Sequence, residues 1–119
     1  MAIKKHQRGF SLVYTVKDIP YDAGGVLQSI SGHTCKFFWR EQFKPDSEES
    51  ATVDLAGYDD DQEVRVELRT PAQTKAMNRA VFLISLRLKN DTSNQVIELL
   101  APDDRKIAIV EEATKSDMS

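Results

Sequence analysis

The chain has 119 residues, 40% of them hydrophobic and 29% charged, with a net charge of −3. That suffices for one domain, residues 1–119, with its own core. No run of 18 apolar residues offers a membrane-spanning helix, and the acidic balance argues against nucleic-acid binding driven by bulk charge alone.

The charge is uneven. Residues 1–40 carry six Lys/Arg against two acids, and residues 41–70 carry three against ten. Such polarity can steer one copy onto another, or simply mark a solvated acidic loop. Lys17, Asp18 and Pro20 interrupt the apolar helix that a processing signal near Lys4–Leu12 would need, so no targeting segment is expected. Cys35 is the single cysteine and has no intrachain partner, which fits a reducing compartment.

In chain order, Phe10, Leu12, Tyr14 and Val16 alternate with Ser11, Val13, Thr15 and Lys17, which predicts a strand. Ile19 to Gly25 is turn chemistry, with two glycines free to take positive φ. Val26–Ile30 reads as a short return strand, giving a hairpin over about 9–31. Thr34 to Arg40 is a third strand, with Cys35, Phe37 and Trp39 on one face and Lys36, Phe38 and Arg40 on the other.

Three further strands follow. ATVDLAGY puts Ala51, Val53 and Leu55 on one face. An acidic turn, Asp59-Asp60-Asp61-Gln62, leads to EVRVELRT, with Val64, Val66 and Leu68 opposite Glu63, Arg65, Glu67 and Arg69. AVFLISLRLKN then aligns Phe82, Ile84, Leu86 and Leu88. Period-2 alternation of this kind means a sheet buried on one side only. If the three strands pair as a meander within a sheet over about 33–90, Thr52, Arg65, Arg69, Ser85, Arg87 and Lys89 share its polar face. Guanidinium and ammonium groups meet phosphates, and hydroxyls meet sugars and base edges. Asp54 and Glu67 lie on the same face and oppose that use. The connection at Thr70-Pro71-Ala72-Gln73 has the form of a helix start, and is equally readable as an extended loop.

After Asn90 the period changes. Val96, Ile97 and Leu100, then Ile107 and Val110, form narrow stripes on either side of Pro102. They predict two short helices over about 93–115, hence an α+β class. The alternative takes Gln95–Leu100 and Lys106–Val110 as strands, because Ile and Val favour sheets, and gives an all-β sandwich.

The sequence offers no catalytic cluster, so an enzyme is not expected and no cofactor or metal is assigned. His33 and Cys35 lack further ligands or an orienting group. The acidic turn lacks the spacing of an EF-hand loop.

The order of hairpin, meander and paired short helices resembles the coat proteins of single-stranded RNA bacteriophages. SATVDLAGYDDDQEVRVELRTPAQT is similar to that family's paired strands around a polar turn. NRAVFLISLRLKNDTSNQVIELL is similar to its last strand entering its first helix. The resemblance implies an obligate, intertwined homodimer, a higher-order icosahedral shell around single-stranded genomic RNA, no membrane, and assembly in the bacterial host cytoplasm into a virion. It also implies an RNA-hairpin site on the inner sheet face that includes the residues named above. Pro71, Gln73, Lys75, Met77 and Arg79 would lie in the loop between dimers. Two other readings stand beside it: a β-sandwich protein-interaction module without nucleic acid, and a barrel that binds single strands through exposed aromatics such as Phe38 and Tyr14.

Overall fold

Alternating hydrophobicity dominates this chain, and the computed structural model is accordingly mostly β, 48% strand with few short helices and a mixed multi-strand sheet. It describes residues 3–21 and 24–111. The strands are β1 (Lys4–Gln7), β2 (Leu12–Lys17), β3 (His33–Glu41), β4 (Glu49–Val53), β5 (Glu63–Arg69), β6 (Val81–Asn90), β7 (Val96–Glu98) and β8 (Lys106–Val110). Two one-turn helices, α1 (Tyr58–Asp61) and α2 (Pro71–Lys75), flank β5.

Six strands form one sheet in the order β1-β8-β6-β3-β4, with β7 also on β6, and β2 pairs β5 in a second sheet. All pairs are antiparallel except β1 with β8. The apolar faces of both sheets close on one core. Leu12, Val16, Val66 and Leu68 come from the small sheet, and Cys35, Phe37, Trp39, Ile84, Leu86 and Leu88 from the large one. Phe37 and Trp39 stack within it, their ring centroids 5.5 Å apart.

Such a strand-rich composition is compatible with an α+β class, but three expected features are corrected. The first is the N-terminal hairpin. Val26–Ile30 forms no strand; a single bridge joins Pro20 to Val26, and β2 pairs with β5 instead. The inward face of β2 needs an apolar cover longer than that short segment, and Val64, Val66 and Leu68 supply it. What ties Ile19 to Leu27 is Tyr58. Its buried hydroxyl accepts the Ile19 N–H at 3.1 Å and donates to the Leu27 carbonyl at 2.7 Å. The glycines keep their turn role, with φ of +96° at Gly24 and +78° at Gly25.

The second correction is the meander. β4 and β6 both pair with β3, which lies between them, and β5 belongs to the other sheet. The third is the helical tail. Residues 96–98 and 106–110 are strands that cover the second edge of β6, as the alternative reading has them. Ile107 and Ile109 are buried two apart, the period of a strand rather than a helix. An unpaired β6 edge above a core would leave backbone groups without partners, and β-branched residues satisfy that edge well. Residues 112–115 of the expected tail lie outside the described residues.

The helix start at Thr70 is present. The Thr70 hydroxyl accepts from the Gln73 N–H at 3.2 Å, and the Gln73 side chain accepts from the Thr70 N–H at 2.8 Å, a reciprocal capping box. Thr74 is fully buried, where its hydroxyl accepts the Gly9 N–H at 3.0 Å and lies 2.9 Å from the Phe10 carbonyl. The Arg8 guanidinium donates to the Lys75 carbonyl at 2.6 Å. The segment expected to line an inter-dimer loop is therefore tied to this subunit's own N-terminal strand region. Pro71, Gln73, Lys75 and Arg79 remain exposed, but Met77 is a core residue.

Candidate nucleic-acid interface

The outer face of the six-stranded sheet is built by register. Thr34 of β3 sits beside Lys89 of β6 and Val96 of β7. Thr52 of β4, Lys36, Arg87 and Glu98 form the next row. Ser50, Phe38 and Ser85 form the third, and Arg40, Leu83 and Lys106 the fourth. The alternation that buries Cys35, Phe37 and Trp39 on one side therefore presents Lys36, Phe38 and Arg40 on the other.

The Arg87 guanidinium lies 4.9 Å from the centroid of the Phe38 ring, and its Nε donates to the Ser85 hydroxyl at 2.9 Å. That contact joins a cation to an aromatic face in the middle of the sheet. Lys36, Arg87 and Lys89 are exposed, and among the described residues none makes an ion pair. Glu98 is the acid opposite Arg87 on this face, and its carboxylate is occupied. It accepts from the Leu86 N–H at 2.9 Å, from the Leu100 N–H at 3.2 Å and from the Ser85 hydroxyl. It serves there as an acceptor for backbone groups where β7 leaves β6. Next to the cations, a shallow depression of about 300 Å³ is lined by Thr34, Lys36, Phe38, Arg87, Lys89, Asp91 and Val96.

Of the residues expected on one polar face, Thr52, Ser85, Arg87 and Lys89 are brought together. Arg65 is not. It pairs with Thr15 on the outer side of the small sheet, across the core. Arg69 is also elsewhere, for a local reason. The ladder between β2 and β5 shifts at Leu12/Val13, which sets Arg69 opposite the buried Leu12. Its guanidinium lies over the Trp39 ring at 4.0 Å, and its Nε is buried with no hydrogen-bond partner among the described residues. Burial lowers the Arg69 pKa, against which the charge of Glu49 acts. The 440 Å³ cleft around it holds both Glu41 and Glu49, so it suits an anionic strand poorly.

The expected site lacked the contribution of β3. Lys36, Phe38 and Arg40 were legible as one face of a strand. What the sequence could not supply was that β3, rather than β5, is the neighbour of both β4 and β6.

The negative residues concentrate away from this face. Asp59, Asp60 and Asp61 form α1, and Glu63 and Glu67 lie on β5. Asp59 is structural: its carboxylate accepts from the Ser29 hydroxyl and the Ile30 N–H, both at 2.9 Å. Comparison with known protein families, with curated proteins and with solved structures finds no match.

Proposed function

We propose that this chain is a binding protein for single-stranded nucleic acid, held on the outer face of the six-stranded sheet. One observation carries the reading. Two exposed lysines, Lys36 and Lys89, flank the Arg87–Phe38 contact on a single sheet face, and none of the three cations makes an ion pair among the described residues. A phosphate chain needs cations along its path, and a splayed base needs a flat partner, aromatic ring or guanidinium. The hydroxyls of Thr34, Ser50 and Thr52 flank the same rows and suit sugar and base edges. The net acidic charge does not oppose this use, because much of it lies elsewhere, with Asp59, Asp60 and Asp61 in α1 and Glu63 and Glu67 on the small sheet.

Fluorescence anisotropy with a labelled oligouridylate of about nine nucleotides tests it. Binding is expected to weaken linearly on a log–log salt plot, with a slope of about −0.7 per phosphate neutralised. Absence of binding at low salt would overturn it.

The coat-protein reading uses the same sheet as its genome-facing surface and adds self-assembly. What favours that addition is β4, which ends the large sheet with one edge unpaired among the described residues. The interlocking through C-terminal helices has no counterpart in residues 96–110, so a dimer would join at this edge instead. Gel filtration with light scattering, read at 260 and 280 nm, distinguishes the two. A very large particle carrying nucleic acid is expected for a shell; a small protein that binds added oligonucleotide rejects the shell and keeps the binding role.

A further inference from the structure

We propose that the depression beside Phe38 is a base-reading subsite for guanine. The inference rests on the nucleic-acid reading above and names what that face selects. The depression carries chemistry that a plain phosphate track would not contain. Lys36, Arg87 and Lys89 are cations, but Asp91 lines the same space, and it is exposed. A carboxylate repels phosphate, so a ligand made of anionic groups alone fits poorly here. A ligand carrying phosphate on one side and N–H donors on the other fits both signs. A nucleotide is that ligand.

The remaining surfaces agree. The Arg87 guanidinium lies over the Phe38 ring, 4.9 Å from its centroid, and a planar guanidinium is a surface on which a base can stack. Val96 is an exposed apolar side chain, 55% accessible, beside Lys89 on the same row. It can meet the edge of a base or a sugar.

Asp91 is also held in place. Its Oδ1 accepts from the Thr34 hydroxyl at 2.8 Å, and its backbone N–H donates to the Gly32 carbonyl at 2.9 Å. Among the described residues nothing else donates to the carboxylate, which leaves Oδ2 and one lone pair of Oδ1 for a ligand. An ionised carboxylate accepts only, through two oxygens. Guanine presents two adjacent donors, N1–H and the exocyclic N2 amine, which match those oxygens together. Cytosine and adenine present one amine each beside an acceptor nitrogen. Uracil presents its N3–H between two carbonyls, which a carboxylate repels. The same carboxylate therefore favours guanine over uracil at this one position.

The test uses two labelled probes in anisotropy titrations. One is the oligouridylate above, and the other is the same strand with a single central guanosine. The wild-type chain is expected to bind the guanosine-containing strand about tenfold more tightly, because the Asp91 carboxylate then meets two donors rather than the carbonyls of uracil. In Asp91→Asn the two affinities are expected to converge. The amide keeps an acceptor for Thr34, so the turn survives, but it can match only one of guanine's donors. Equal affinities in the wild type would overturn the subsite while leaving the binding face standing. A guanosine preference that persists in Asp91→Asn would also overturn it. Failure of both probes to bind would remove the face itself, and the subsite with it.

Discussion

Replacing Lys36, Arg87 and Lys89 together by alanine is expected to weaken oligonucleotide binding on the order of a hundredfold at low salt. Hydrogen bonds to charged groups contribute roughly 1.5–3 kcal/mol each, and three are removed, although strands re-register and recover part of the loss. The salt dependence is the sharper measure. Each phosphate released lowers the slope by about 0.7, so the triple variant is expected to show a slope smaller by about 2. Folding is not at stake, because all three side chains are exposed and, among the described residues, their only hydrogen bond is from Arg87 to Ser85. Arg65→Ala provides the contrast. Arg65 stands on the opposite sheet beside Thr15, so its loss is expected to leave both affinity and slope unchanged. If Arg65→Ala weakens binding as much as the triple variant, the strand runs over the small sheet and the interface is wrongly placed. A Phe38→Ala change separates stacking from charge. It is expected to lower affinity without altering the slope, by roughly 1–3 kcal/mol for one stacked base.

Local order was largely readable, and pairing was not. The faces of β3, β5 and β6 follow from alternation alone, since Val66, Leu68, Phe37, Leu86 and Leu88 recur at every second residue and are all buried. The Thr70 cap follows from residue types at fixed offsets. Neighbour choice has no such local signal. β4 and β5 are separated by little more than α1, which makes a hairpin the natural expectation. Yet the intervening Leu55 and Tyr58 are themselves buried, and their side chains redirect the chain from one sheet to the other. For the same reason, four of the residues expected on one face stand together and two do not. Arg65 was lost with the meander. Arg69 left with it, being on β5 too, and a bulge that no spacing within β5 announces brings it over Trp39. The C-terminal segments misled through length. Val96–Glu98 and Lys106–Val110 are short enough that a few apolar residues fit either period. What decides them is a demand from elsewhere, the open edge of β6.

Cys35 gives a second large effect, on stability rather than binding. It lies in β3 opposite Val53 and Leu88, and it is 4% accessible. Burial pushes its thiol up to about 12 from an ordinary value of 9.0. Between those two values the folded chain holds a proton that the unfolded chain has released, so stability falls as pH rises. The contribution of the neutral thiol is fully present below about pH 9 and is lost progressively toward pH 12. The loss is roughly 1.4 kcal/mol per pH unit, or roughly 2–3 kcal/mol by pH 11. Other groups titrate there, including Tyr58, whose pKa is also raised by burial. The comparison with Cys35→Ala cancels them. Urea unfolding at neutral and alkaline pH is expected to show the variant less stable at pH 7, because the side chain leaves a small void. The gap is expected to narrow and then reverse above pH 10. Parallel stability curves for the two proteins would mean that the thiol ionises within the folded chain. The same burial makes an independent statement at pH 8. Alkylating reagents attack the thiolate, which the folded core disfavours, so labelling of Cys35 is expected to proceed only as fast as the sheet opens.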